Sequence, residues 1–474
     1  MEIQPKAQET INEWGLDLKA IESLGTRLES FWSVYARYMR TQTRDTSTYG
    51  LQYVSGMLRM ESKRNISNIG RQTQVPEQNM QHFISASPWS ARDLIAAIQQ
   101  EVIANGAFAQ GSMLLLDESS DEKAGEESVG AGIQYNGRHG KVDMSQVGVY
   151  LTLANGPLCT WIDGEVFIPE KWFAAEAAAK RRKVGLPEDR QFQTKIELGW
   201  EMIQRMQARG LPFEAVACDT LYGRSPWLRD QCTVADIECY SDVPVNTQVY
   251  LSKPEIGIPE AKQARHEQVL SPNPMRVDQV GCLPDTIWQR LVLRPSERGL
   301  LEVLCAARRI WTVRDDGGVV EEWLIIRQDP GRHTYTLSNA PANTSLMTLA
   351  TRKSARYFAE RGNQDSKSEL GSDDFQATKF RAWEHHLALT ILASWFIADT
   401  KLEWATLYTR DPALYERYQV EILPSLSVAN VRELLRAALP LPQLSPAQAA
   451  SLVVKHLDNR TRSRKSRLRT RFRT

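Results

Sequence analysis

The clearest chemistry in this chain belongs to three acids. Asp117 closes the apolar run Met113-Leu114-Leu115-Leu116, Asp219 closes a second run from Phe213 to Cys218, and much later Glu360 falls in a segment of helical spacing. Two aspartates at the ends of neighbouring strands and a glutamate on a helix are the parts needed to hold two divalent cations over a phosphodiester. Carboxylate oxygens suit Mg²⁺, with Mn²⁺ as a substitute, because these ions take phosphate oxygens and waters as further ligands. One ion can activate the attacking water or hydroxyl while the other stabilises the leaving oxygen. Among 57 acids spacing alone is a weak signal, and the position of each Asp at the end of an apolar run is the stronger one. The competing reading is that strand-end aspartates cap helices or form turns.

Arg356 and Lys367 flank Glu360 at helical spacing, which puts all three on one face, with Glu360 toward metal and the two cations toward phosphates. An ordinary i,i+4 surface ion pair between Arg356 and Glu360 is the alternative, and Gly362 is expected to interrupt the helix. Glu118 should point to the opposite side of its strand from Asp117 and so support the site at most. Asp163, in Trp161-Ile162-Asp163-Gly164, reads as a turn residue, and His385 and His386 on an apolar helix read as core. Neither a Walker A motif nor G-x-G-x-x-G is present, so no nucleotide cofactor is expected.

The elements that must position these residues follow from periodicity. Residues 1–105 read as a helical N-terminal domain, with Ser90 as N-cap of a helix to Ile103. Arg59, Lys63 and Arg64 are its candidate phosphate contacts, although a packed bundle with solvated charges explains the same composition. Residues 106–244 alternate strands and helices in an α/β pattern with a mixed sheet. Residues 245–343 are β-rich and read as an insertion, with strands at Trp288 to Arg294, Leu300 to Val313 and Val319 to Arg327 and a hairpin turn at Asp315-Asp316-Gly317-Gly318. Helical spacing returns over 344–400, with one helix expected from Leu346 to about Glu360, and again over 401–459, including Pro446 to Leu457. Residues 460–474 form a basic tail expected to be disordered.

The 474 residues carry 58 Lys plus Arg against 57 Asp plus Glu, a net charge of +1 that conceals an acidic body and a cationic tail. Eight of the last fifteen residues are basic, beginning with Arg460, Arg462, Arg464 and Lys465, and none is acidic. Such a tail grips phosphates without regard to sequence. No stretch is apolar enough to span a membrane, the N-terminus lacks a signal-peptide pattern, and six scattered cysteines fit free thiols, so a cytoplasmic site is expected.

A family resemblance adds to this reading. Arg356-Tyr357-Phe358-Ala359-Glu360, with Lys367 seven residues on and Arg381-Ala382-Trp383-Glu384-His385-His386 beyond, resembles the third-acid helix of DDE-type insertion-sequence transposases, whose signature is Tyr-x2-Arg-x3-Glu-x6-Lys. Leu114-Leu115-Leu116-Asp117-Glu118-Ser119 and Ala217-Cys218-Asp219-Thr220-Leu221-Tyr222-Gly223 agree. Ser87-Pro88-Trp89 and the stretch from Gln146 through Trp172 look like the insertion sequence 701 family. The resemblance covers about Leu51 to Phe396. It implies a ribonuclease H-like α/β core with a β-rich insertion between the second Asp and the Glu, flanked by α-helical N-terminal and C-terminal regions. It implies Asp117, Asp219 and Glu360 as catalytic ligands of two Mg²⁺ ions, and Arg356 and Lys367 as DNA contacts. The expected activity is cleavage of an insertion element's ends and joining of the 3′-hydroxyls to target DNA, on double-stranded DNA, by at least a dimer, near the nucleoid of a bacterium. In related cut-and-paste enzymes an aromatic of the insertion stacks on a flipped base during hairpin formation, which makes Trp288, Trp311 and Trp323 candidates. Lys353 departs from the signature by standing at its tyrosine position, and Gly362-Asn363 is expected to loosen the turn after the Glu. A catalytically inactive DNA-binding derivative and a general ribonuclease H-like nuclease remain the alternatives.

Overall fold

The computed structural model describes residues 18–137, 140–258, 268–296, 299–329, 331–407 and 427–438. Five helices lead the described chain: α1 (Leu18–Tyr35), α2 (Ser47–Arg59), α3 (Ile66–Gln72), α4 (Glu77–Ser85) and α5 (Ala91–Ala104). Ser90 caps α5 as expected, its hydroxyl accepting from the Asp93 backbone N–H at 3.1 Å. The core follows as β1 (Met113–Glu122), β2 (Gly132–Asn136), β3 (Lys141–Asn155), β4 (Leu158–Val166), α6 (Ala178–Val184), α7 (Lys195–Ala208), β5 (Ala215–Cys218), α8 (Thr220–Gly223), α9 (Pro226–Val234) and β6 (Cys239–Val243).

β4, β3 and β1 pair antiparallel, and β5 and β6 then join β1 in parallel, giving the order β4-β3-β1-β5-β6. The crossovers that parallel pairing demands contain α7 and α9. Side chains alternate across this sheet. Leu114, Leu116, Val216 and Cys218 face the main core with Leu198 and Met202 of α7. Met113, Leu115, Ala215, Ala217 and Tyr240 face the other side, where Leu349, Phe358 and Ala359 cover them. The expectation that β1 ends at Asp117 is corrected: β1 continues to Glu122 because β3 stays paired with it, and what ends is the parallel ladder, at Leu116 opposite Cys218.

The insertion begins with short ladders, β7 (Gln248–Val249) with β10 (Met275–Arg276) and β8 (Glu255–Gly257) with β9 (Gln268–Ser271), and a short helix α10 (Val277–Gly281). Its main part is an antiparallel meander, β11 (Gln289–Ser296), β12 (Gly299–Val313), β13 (Val319–Asp329) and β14 (Arg332–Ser338). β14 pairs with β6, Tyr335 opposite Val243 through Ser338 opposite Tyr240, so the insertion extends the core sheet.

The helix expected to run from Leu346 to Glu360 is two, α11 (Leu346–Ala355) and α12 (Tyr357–Ser368), and they part at Arg356. Gly362 does not interrupt α12. Its role is close approach, since a Cβ there would stand 3.3 Å from the Thr152 side chain on β3. α13 (Phe380–Leu407) is almost wholly apolar and buried from Leu387 to Ala398 and packs between β4 and helices α2, α4 and α5, and α14 (Val428–Ala438) lies against α13, α1 and α2. His385 is core, as expected, stacked on Trp89 with ring centroids 3.7 Å apart. The expected helix at Pro446 to Leu457 and the basic tail with Arg460, Arg462, Arg464 and Lys465 lie outside the described residues.

A buried ion cluster ties the N-terminal helices to the core. Arg92 of α5 reaches Asp163 at 3.2 Å, Glu165 at 3.0 Å and Glu384 at 3.0 Å, and Arg205 of α7 reaches Asp163 at 2.8 Å and Glu165 at 3.1 Å. Asp163 is therefore no turn residue. It lies inside β4, 1% exposed, clasped by two guanidinium groups.

Candidate active site

Asp117 and Asp219 occupy the first positions beyond the last paired residues of β1 and β5, so the register sets them side by side. Alternation gives them a common face, the one covered by α11 and α12. The Asp117 carboxylate accepts from its neighbour's backbone N–H at 2.9 Å and from the Asn363 amide at 3.1 Å, and Asn363 in turn accepts from the Trp161 indole at 3.1 Å. Asn363 is thus a brace for Asp117 rather than a loose turn. Asp219 caps α8, accepting from the Leu221 N–H at 2.9 Å, so the capping role and the site position coincide. Burial and then the charge of Asp219 push the Asp117 carboxyl up to about 8. Asp219 is raised as well, by burial first.

The register carries the row one strand further. Cys218 lies opposite Ser241, so Asp242 of β6 stands beside Asp219 on the same face. Its carboxylate takes the Lys353 ammonium at 3.0 Å and Arg356 Nε at 2.9 Å, and accepts from the Thr336 hydroxyl. Despite burial, these cations hold Asp242 below its ordinary value. Gly223 makes this neighbourhood possible, since a Cβ there would fall 2.0 Å from the Asp242 carbonyl oxygen. Asp242 is absent from the sequence expectation, in which Asn363 figures only in a loosened turn, and what marks the aspartate is its register beside Asp219.

Glu360 is brought near but not in. It is exposed, with Arg356 Nη2 2.5 Å from its carboxylate, so the i,i+4 pair forms. Arg356 also lies within electrostatic reach of Asp117 and Asp219, and although burial opposes its charge, Asp242, Glu360 and Asp117 together keep it firmly protonated. Among the described residues no three acidic, imidazole or thiol side chains stand close enough to hold one metal ion as they lie. The donor chemistry nonetheless fits a hard divalent cation: Asp117 and Asp219 offer oxygens only, and their like charges face each other in a half-buried seat.

The other expected residues divide. Lys367 is turned onto the site strand, 3.0 Å from Asp121 and donating to the Ser120 carbonyl at 2.6 Å. Glu118 takes the opposite face, as expected, 3.3 Å from Lys195. Lys63 is exposed and Arg59 half-buried. Arg64 departs from the expected phosphate contact: it is 2% exposed and donates to the Met60 and Ser368 carbonyls at 2.8 and 3.0 Å, bracing the N-terminal helices against the end of α12. Trp288, Trp311 and Trp323 are all half-buried. Trp288 sits by His333, Trp311 under Lys253, and Trp323 packs on the small core that includes Ala359 while its indole donates to the Pro341 carbonyl at 3.0 Å.

The sequence pattern of the DDE superfamily endonuclease family matches residues 35–293, more than half of the chain, and the chain belongs to that family. The match includes both strand aspartates. The superfamily implies a ribonuclease H-like core, with which the β4-β3-β1-β5-β6 sheet is consistent. The chain is also similar to the probable transposase for insertion sequence element IS701 of Microchaete diplosiphon, 24% identical over 309 residues, which is 64% of this chain and 70% of that protein. Both findings agree with the resemblance to DDE-type insertion-sequence transposases. No described helix is long and apolar enough to cross a membrane.

Proposed function

We propose that the chain is the transposase of an insertion element, which cuts the element's ends by divalent-cation-dependent hydrolysis and joins the 3′-hydroxyls to target DNA. The observation that carries this reading is the Asp117–Asp219 pair: two carboxylates on adjacent parallel strands and one face, with burial and mutual repulsion raising Asp117 to about 8. Two bound Mg²⁺ ions would supply activation of the attacking oxygen and stabilisation of the leaving one. Asp117 and Asp219 would hold them, with Glu360 completing the set. Asn363 keeps the Asp117 carboxylate in one orientation, and the α8 N–H does the same for Asp219. Arg356 lies within electrostatic reach of these acids, and it and Lys367, once released from Asp121, would meet the phosphates of the strand being cut. The N-terminal helices and the basic tail would add contacts along the duplex, and pairing of two ends calls for at least a dimer on DNA.

Nicking of a supercoiled plasmid that carries the element's ends tests this. Cleavage confined to the ends, dependent on Mg²⁺ and lost in Asp117→Ala while end binding persists, is the expected result. Cleavage that survives Asp117→Ala rejects the site. Binding without cleavage by the wild type would make the chain a DNA-binding derivative, and cutting without preference for the ends a general nuclease.

A further inference from the structure

Asp242 has no part in the chemistry assigned above, yet it stands at the end of the Asp117–Asp219 row with Lys353 and Arg356 in its grasp. We infer that Asp242 is a positioning residue which holds Arg356 clear of the seat between Asp117 and Asp219, so that a divalent cation can occupy it. The inference rests on the reading of Asp117 and Asp219 as metal-holding.

Arg356 is the natural competitor for that seat. It is half-buried, firmly charged, and within electrostatic reach of both carboxylates. A guanidinium offers several donors to paired carboxylates, so an unanchored Arg356 would settle on them. Two contacts prevent this. Asp242 Oδ2 takes Nε at 2.9 Å, and Glu360 takes Nη2 at 2.5 Å, so the fork is engaged on two of its nitrogens by acids other than the seat. Glu360 is exposed, one turn into α12 from Arg356 at the junction, and so makes a loose tether. Asp242 is the firm one, because each of its surroundings is fixed. Its Oδ1 accepts from Lys353 at 3.0 Å and from Thr336, its strand is locked to β14, and Gly223 presses on its carbonyl.

Lys353 gains a purpose from the same arrangement. It is 4% exposed, and its ammonium goes to Asp242 and Thr336. A buried ammonium there keeps the Asp242 carboxylate in place with one oxygen left for Arg356. The lysine that departs from the expected signature is therefore an internal anchor and is not presented to DNA.

Calorimetric titration of the full chain with Mn²⁺, without DNA, tests this. Asp242→Asn is expected to weaken Mn²⁺ binding about tenfold, the scale typical of groups that orient a metal site from outside. Adding Arg356→Ala should restore the affinity to that of Arg356→Ala alone, since the guanidinium is then gone whether or not it is held. If a thermal melt shows Asp242→Asn to be misfolded, Asp242→Asn with Lys353→Met removes the buried pair together and takes its place in the same comparison. Equal Mn²⁺ affinities in wild type and Asp242→Asn overturn the inference. So does a loss that Arg356→Ala fails to reverse, which would make Asp242 a ligand of the ion itself. Because the readout is metal binding, the pattern supports the inference even in a protein that leaves element ends uncut, a result that would count only against the proposed function.

Discussion

Two of the clusters of charge sunk into this protein follow opposite plans. Around β4, each buried acid meets arginine: Asp163 and Glu165 each touch both Arg92 and Arg205, and Glu384 touches Arg92. At the ends of β1 and β5, the direct partners of Asp117 and Asp219 among the described residues are uncharged: an amide and a backbone N–H for Asp117, backbone N–H groups for Asp219. With Arg190 3.7 Å from Glu165 as well, each of the acids around β4 has a guanidinium, and the result is a clamp between elements. Where anions outnumber their direct partners, the fold is left with an appetite for a cation, which is the difference between a joint and a site.

The difference can be broken from either side. The largest effect should come from Glu360→Gln or Asp219→Asn, which are expected to reduce cleavage at the element's ends to background in a plasmid assay without lowering the melting temperature. Arg205→Ala should do the reverse. Leaving Asp163 and Glu165 short of a partner should cost about 2–3 kcal/mol in denaturant unfolding, toward the low side because Arg205 is about a third exposed. Folded Arg205→Ala should still cut at the wild-type rate.

A pH series sharpens the contrast. The raised Asp117 carboxyl favours the fold while protonated, so its contribution is full below its ordinary value of 3.8 and is lost as pH rises through about 8. Metal-free Asp117→Asn cannot ionise, and should melt higher than the wild type by a margin that widens from pH 5 to pH 8. Parallel curves would mean that Asp117 carries no such strain. The smallest effect belongs to an exposed pair outside both clusters: Arg290→Ala, which separates Arg290 from Glu302, should change unfolding by less than about 0.5 kcal/mol.

Most of the scaffold was legible because burial writes itself into periodicity. Met113 to Leu116 and Ala215 to Cys218 are apolar on both faces, as covered parallel strands must be, and each is followed by its aspartate. Asp242 follows Cys239-Tyr240-Ser241, where a serine and a cysteine fill apolar positions, and nothing local marks it among the acids. β14 is similarly hidden, since Arg332-His333-Thr334-Tyr335 is polar and its strand character comes from the partners on either side. Arg64 illustrates a second limit. Charged residues are expected outside, and what draws this one in is a pair of carbonyls, one of them 304 residues away, that no local pattern contains. Lys367 was expected beside Glu360 facing phosphates, and its contact with Asp121 on β1 was not legible, because only the packing of α12 on that strand creates it.

The join between β6 and β14 bears on how the chain is made. β6 ends at Val243, and the strand that completes its outer edge begins at Arg332. During synthesis the core sheet therefore waits with an open side while the whole insertion emerges, and a product cut short before Arg332 would keep that side bare. A bare strand edge next to Asp219 and Asp242 is a template for a second chain. Trimming this protein to a minimal nuclease by excising residues 245–343 should accordingly yield aggregates, whereas shortening the β8–β9 hairpin, which lies off the main sheet, should leave it soluble.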